Sequence, residues 1–251
     1  MSQVEIKNRW SGAVMFAAEL GAEYDNESAS VRMGAAVKLA ISARTNLAGT
    51  NLADANLAGA YLAGAYLAGA NLADANLAGA YLAGANLADA NLAGAYLAGA
   101  YLAGANLART NLADANLART NLADANLAGA NLAGANLADA NLAGAYLAGA
   151  YLAGANLADA KLRDDLLLTG KRPILQIGPI GSRSASFMAH LTNKGLYLRA
   201  GCFFGTRAEF EAKLADEHDN NEHAQEYRAA LEFIAVHERL WTPVKQKDEA
   251  A

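Results

Sequence analysis

The chain has 251 residues, 20 basic against 25 acidic side chains, and a net charge of −5, which disfavours a non-specific nucleic-acid binder. Its one cysteine, Cys202, excludes an intramolecular disulfide framework and a cysteine-based zinc cluster. No stretch approaches the ~18 uninterrupted apolar residues of a membrane span, and MSQVEIKNRWSG has charges where a signal peptide needs an apolar run. A cytoplasmic location without membrane contact is the expectation.

The first segment, residues 1–44, reads as a cap. VEIKNRWSGAVMFAAEL has the pattern of two short strands around Trp10-Ser11-Gly12. Ser30 then opens a helical stretch, VRMGAAVKLAISA, that runs into Thr45. Trp10, Phe16, Val37 and Ile41 are suitable covers for an open apolar end.

From Leu47 to Leu162 a Leu recurs every five residues, giving 24 consecutive units. Most have the form (Ala/Thr)-(Asn/Tyr)-Leu-Ala-(Gly/Asp/Arg). On an α-helix a five-residue step turns the side chain by about 500°, so successive Leu would spiral and form no stripe. In a flat strand the odd spacing would send them to opposite faces. The pattern makes sense only if the chain turns a corner in every unit. Leu and the residue two before it then face inward, and Asn or Tyr between them faces out. The last two positions make the corner. Gly fills the second corner position in 14 units, Asp in eight and Arg in two. Gly accepts positive φ and Asp is a turn former, whereas Arg109 and Arg119 predict corners with negative φ.

If four such corners close a square, positions 20 apart stack and the core is Leu with small residues; the period by itself fixes only a turn every five residues. Leu47, Leu67, Leu87, Leu107, Leu127 and Leu147 mark one column of that core. Tyr61, Tyr81 and Tyr101 form an outer column, either a docking strip or a ladder that only stiffens the wall. Asp89 and Arg109 become neighbours, as do Arg119 and Asp139.

The units ANLAD and AYLAG resemble the repeat of the pentapeptide-repeat family across residues 45–164. That resemblance implies a right-handed quadrilateral β-helix, here of about six coils, with a Leu where the family often mixes in Phe. The flanks resemble those of uncharacterised bacterial and phage members. Some members bind DNA gyrase by presenting an acidic, duplex-sized surface.

Beyond Asp164 the repeat dissolves. Residues 169–251 read as a small α+β module with a polar tail. RPILQIGPIGSR, ASFMAHLT and GLYLRAGCFFG predict three strands, the last two joined by Asn193-Lys194-Gly195. Thr206-Arg207-Ala208-Glu209 is a capping box for a helix to about His218. A second helix from about Asn221 carries Tyr227, Leu231, Ile234 and Leu240 to Trp241. The expected fold is therefore mainly β: a solenoid over residues 45–168, a hairpin-helix cap before it and this module after it.

Chemistry is sparse. GPIGSR (178–183) and GCFFGT (201–206) lack phosphate-loop spacing and read as turns. Cys202, weighed as a nucleophile with His190 or His218, reads as a small buried hydrophobe. His218, Glu222 and His223 suggest a metal, but i, i+5 histidines diverge by about 140° on one helix. No catalytic residue, metal or cofactor is expected.

The expected function is that of a non-enzymatic scaffold. The module would supply a protein partner or self-association as a homo-oligomer, through Phe203, Phe204 and Trp241, while the repeat sets distance. The other reading is an acidic DNA mimic that modulates gyrase. Residues 45–160 hold seven Asp against two Arg, a net −5. A duplex over the same length, about 29 Å, would carry about 17 charges. No direct nucleic-acid contact is expected.

Overall fold

Five residues are too few for a strand ladder, and each side of the repeat accordingly pairs through a single residue. The computed structural model describes residues 2–163, 165–170, 172–181, 185–218 and 221–242. Two compact units divide the chain: Met1–Asn156 with Ala160–Asp164, and Leu157–Asp159 with Asp165–Ala251.

In the first unit, parallel bridges link residues 20 apart, from Asn51↔Asn71 to Asn141↔Lys161, always at the Asn, Tyr or Lys before Leu. The stacking assigns every amide of a unit. Around Asn106 the pattern is complete. Asn106 N donates to Ala85 O at 2.9 Å and Leu107 N to Asn126 O at 2.7 Å. Arg109 N donates to Ala128 O at 2.8 Å, and Thr110 N closes the turn on Leu107 O at 3.2 Å. The remaining amide, Ala108 N, goes to the Asn106 side chain, Oδ1, at 3.2 Å. A buried backbone amide without a partner is costly, so this accounting is what lets the coils stack.

The core is as the period implies. Leu47, Leu67, Leu87, Leu107, Leu127 and Leu147 are buried, as are nearly all the intervening Leu and the facing Ala. Leu152 and Ala155 are half-buried. Thr110 and Thr120 enter the same interior at 0% exposure, and each hydroxyl donates to a Leu carbonyl, Leu87 O at 2.8 Å and Leu97 O at 3.1 Å.

The corners differ from expectation at arginine. Corner glycines have φ of 61–71° and corner aspartates 55–59°, but Arg109 and Arg119 also sit at 56° and 57°. The residue occupies the third place of a Leu-to-Ala or Leu-to-Thr turn, where a type II turn demands positive φ. Bonds to the turn and to the stacked coil hold it there, overriding a penalty of about 1–2 kcal/mol.

The N-terminal elements pack on the first repeats within the same unit. β1 (Ser2–Lys7) and β2 (Val14–Leu20) form an antiparallel hairpin, and α1 spans Ala29–Ser42. The N-cap of α1 is Ser28, whose hydroxyl accepts from Val31 N, two residues before the expected start. Ser30 lies inside the first turn and donates its hydroxyl to Asp54 O at 2.5 Å. Two edge amides of the starting coil find partners here: Asn51 N donates to Lys7 O at 2.8 Å and Asn56 N to Ser30 O at 3.1 Å. Ile6, Ala36, Val37 and Ala40 are fully buried. Phe16 and Ile41 are half-buried, and Trp10 is exposed, lying over the corner glycines Gly49 and Gly69. Trp10 thus covers an outer corner and not an open end.

The second unit has a four-stranded antiparallel sheet, β5-β6-β7-β8. Its strands are Ile174–Ile180, Ala185–Thr192, Gly195–Ala200 and Phe203–Thr206. The short β3 (Lys161–Arg163) and β4 (Leu166–Leu167) precede them. GLYLRAGCFFG, expected as one strand, makes two, because Gly201 and Cys202 turn the chain. Helices α2 (Arg207–His218) and α3 (Glu222–Trp241) follow. The capping box forms: Thr206 N donates to Glu209 Oε2 at 2.7 Å, and Glu209 N to Thr206 Oγ1 at 3.3 Å. Asn221 caps α3, accepting from Ala224 N at 3.0 Å. Phe187, Leu191, Leu198, Phe210, Tyr227, Leu231 and Ile234 form the core between sheet and helices. Leu240, expected with them, is exposed.

Gly34 shows how tightly α1 meets the repeat. A Cβ there would fall inside the van der Waals radius of Asn56 O, a backbone atom that cannot swing away. In an ordinary helix interior Ala is favoured over Gly by about 1 kcal/mol. Here the clash wins, and Gly34→Ala should cost about 2 kcal/mol net, read as a lower thermal midpoint by circular dichroism; an unchanged or raised midpoint would contradict this packing. Mid-repeat, Leu107→Asp should prevent folding, since it puts an unpaired charge into the apolar interior. Asn106→Ser, which keeps an oxygen near Ala108 N, should cost under about 1 kcal/mol in urea denaturation.

Candidate interaction surfaces

Positions 20 apart form columns on each wall. Tyr61, Tyr81 and Tyr101 stack with centroids 4.7 and 5.0 Å apart and planes within 5° and 2°. The corners beside them are all glycine, Gly59, Gly79 and Gly99 on one side and Gly64, Gly84 and Gly104 on the other, with open space at each. The rings turn their faces to one another and only their edges outward, which limits what they offer a flat ligand. Tyr66 and Tyr146 share a column separated by asparagines, and Tyr96 and Tyr151 stand alone in theirs.

The asparagines do more than face out. Asn71, Asn91, Asn111 and Asn131 each donate Nδ2 to the Oδ1 of the asparagine 20 before, at 2.9–3.1 Å. Each Oδ1 also accepts from the amide two residues on, as at Ala113 and Ala133. A tyrosine in the asparagine position gives up both bonds and gains stacking only beside another tyrosine, as Tyr61, Tyr81 and Tyr101 do. At the corners, Arg109 grips Asp89 with two bonds of 2.7 Å, holding that carboxyl below its ordinary range. Arg119 lies 3.9 Å from Asp139. Both pairs are exposed and contribute little to stability.

In the second unit the aromatic residues expected at the surface are half-buried in its own packing. Phe203 packs on the core, edge to face with Phe210 at 5.3 Å. Phe204 lies between Tyr197 at 5.7 Å and His190 at 5.8 Å, under the Arg199 guanidinium. Trp241 lies under Arg172 at 4.7 Å. The exposed apolar side chains are instead Phe233, Val236 and Leu240 of α3.

The candidate chemistry resolves into structure. Cys202 is exposed in the β7–β8 turn, not buried in a strand. In GPIGSR, Gly181 N donates to Glu226 Oε2 at 2.8 Å, so a carboxylate already takes the loop's amide; residues 182 and 183 lie outside the described residues. His218 ends α2 and His223 begins α3, so their rings approach to 5.9 Å where one continuous helix would separate them. Among the described residues no group of three His, Cys, Asp or Glu could hold a metal, and no helix is long and apolar enough to cross a membrane. His190, in β6, is buried with its Nδ1 lacking a partner.

A family model, pentapeptide repeats, matches residues 43–77, 70–107 and 130–164 with 8 copies. Through this segment the chain belongs to the pentapeptide-repeat family. Membership implies that the 20-residue stacking above is a right-handed β-helix. The chain is similar to three solved structures, the first two of them pentapeptide-repeat proteins. Rfr23 from the cyanobacterium Cyanothece 51142 is 42% identical over 36% of this chain and 58% of that one, with a TM-score of 0.31. Protein alr5209 from Nostoc PCC 7120 is 31% identical over 42% of this chain and 78% of its own, with a TM-score of 0.22. Full-length QnrB1, a plasmid-mediated fluoroquinolone resistance protein, is 19% identical over 42% and 61%, with a TM-score of 0.19. The chain spans 58–66% of the length of the first relatives it matches. No curated protein matches it.

His190 makes the second unit sensitive to acid. Burial, reinforced by the Arg199 charge, pushes its pKa from 6.5 down to about 4. The unfolded chain therefore binds the proton first, and stability falls as pH drops through the window between those values. Urea denaturation should show the loss of about 2 kcal/mol between about pH 7 and pH 5. His190→Leu should flatten that dependence; a slope that survives the substitution would assign it elsewhere.

Proposed function

We propose that the chain is a non-enzymatic, cytoplasmic interaction scaffold whose selective contacts lie in its second unit. In this reading residues 1–44 cap the first of about six coils, residues 45–168 are the repeat, and residues 169–251 are the binding module. One observation carries it: α3 leaves Phe233, Val236 and Leu240 exposed, while the repeat offers nearly the same Asn, Tyr and Gly surface at every coil. A surface that repeats every 20 residues gives a partner no fixed register along it. Bulky apolar side chains kept in water at one place mark an interaction site.

A second reading is favoured by the corner column of Asp54, Asp74 and Asp114, the acidic surface that a gyrase-binding DNA mimic would need. Against it, Asp89 is bonded to Arg109 and Asp139 lies beside Arg119, which thins an already sparse charge.

Two measurements separate these. Host-lysate capture on the full chain should lose its protein partners with Leu240→Glu and keep them with Tyr61, Tyr81 and Tyr101 all changed to Ser; the reverse pattern would move binding to the wall. Supercoiling by gyrase should continue unchanged at micromolar protein. Inhibition that disappears when the corner aspartates become Asn would establish the second reading.

A further inference from the structure

The two helices of the second unit present opposite kinds of outer face. On α2, Phe210 and Leu214 are buried, and the exposed side carries Glu209, Glu211, Lys213, Asp216 and Glu217. That is an ordinary solvated face. On α3 the buried stripe is Ala224, Tyr227, Leu231, Ile234 and His237. Two residues beyond Leu231 and Ile234, about 200° round the helix, stand Phe233 and Val236. Phe233 is 58% exposed, Val236 40% and Leu240 65%, and Ala229 continues the same side. The spacing 229, 233, 236, 240 is four, three, four, the step of a helix seam made to meet another helix.

We infer that this face pairs with the same face of a second copy of the chain, α3 against α3, antiparallel about a two-fold axis at Val236. The sequence of the face is self-complementary under that operation. Antiparallel pairing places residue 236 + k opposite 236 − k. Val236 then meets its own mate, and Phe233 meets Leu240 of the other copy with an axial offset of about 1.5 Å. The same offset brings Glu232 of one copy beside Arg239 of the other, twice per dimer. Within one helix those two charges are seven residues apart, about 10.5 Å along the axis, too far to pair with each other. Both are exposed, and neither joins an ion pair among the described residues. A parallel arrangement would put these side chains of the two copies on opposite flanks of the seam and pair neither charge with its opposite.

One helix face and its mate bury less than the roughly 1,200 Å² of a standard stable interface. The association is therefore weak and reversible, with Kd on the order of micromolar. Isologous pairing is the commonest route to a soluble homodimer.

This assignment rests on the binding role proposed for the second unit and names its partner. Sedimentation velocity on the full chain, from about 1 to about 200 µM, should show a monomer–dimer equilibrium. Phe233→Glu should leave far-UV circular dichroism and the thermal midpoint unchanged, because the side chain is in water, and should abolish the dimer. Glu232→Arg or Arg239→Glu alone should raise Kd about tenfold, since each sets like charges opposite one another at two places. The double swap, Glu232→Arg with Arg239→Glu, should restore Kd to within about threefold of the parent. A monomer throughout, a dimer indifferent to Phe233→Glu, or a double swap that fails to restore it would each overturn the proposal. If the chain is monomeric yet Phe233→Glu strips host proteins from it, the face serves a different partner. The second-copy assignment then falls while the binding role stands.

Discussion

The structure depends on where each backbone amide of a five-residue unit finds its acceptor. Two reach the next coil, one reaches the previous coil, one closes the turn, and one is taken by the asparagine side chain. This works only if each unit turns a corner, and the corner works only with positive φ at its second residue. The Leu is then what one corner and its neighbours leave room for at the centre, and Ala or Thr is what fits opposite. Every other property of the repeat follows from that accounting, including its need for a partner at the first coil, which Lys7 O and Ser30 O supply.

Asparagine and tyrosine alternate in one slot but do different work. Asparagine satisfies an amide of its own unit and bonds along its column, so it stabilises the coil it belongs to. Tyrosine gives that up and gains by stacking on another tyrosine, as in the column of Tyr61, Tyr81 and Tyr101. Lone tyrosines such as Tyr96 and Tyr151 have neither benefit from a ring above or below. The uniformity that makes the solenoid stable also makes its walls poor at discrimination.

The period of five, the inward Leu, the tyrosine column and the two Asp–Arg neighbours were legible because each depends only on spacing. So were the hairpin, the capping box and α3, which have local signatures. What escaped has non-local causes. Arg109 and Arg119 looked unsuited to positive φ, and only the bonds to stacked coils show why the backbone overrides the side chain. The role of Gly34 depends on the carbonyl of Asn56, 22 residues away. Cys202 looked like part of a strand because a turn of Gly-Cys within apolar residues has no strong marker. Phe203, Phe204 and Trp241 looked like surface aromatics, and the sheet and helices took them in.

The face on α3 was hidden for a different reason. Its residues lie between those of the buried stripe, so the helix is apolar on two sides and the pattern of one masks the other. Leu240 read as a continuation of Tyr227, Leu231 and Ile234, yet it is six residues beyond Ile234, about 600°, which carries it well round from the buried side. Once the core is known, Phe233, Val236 and Leu240 have no role in it, and polar side chains would serve a monomer better at those places, as α2 demonstrates within the same unit. Burying a side chain of that size is worth about 1.5–3 kcal/mol. Three of them left in water on one helix face, with Glu232 and Arg239 on either side of their centre, are what the proposed pairing with a second copy accounts for.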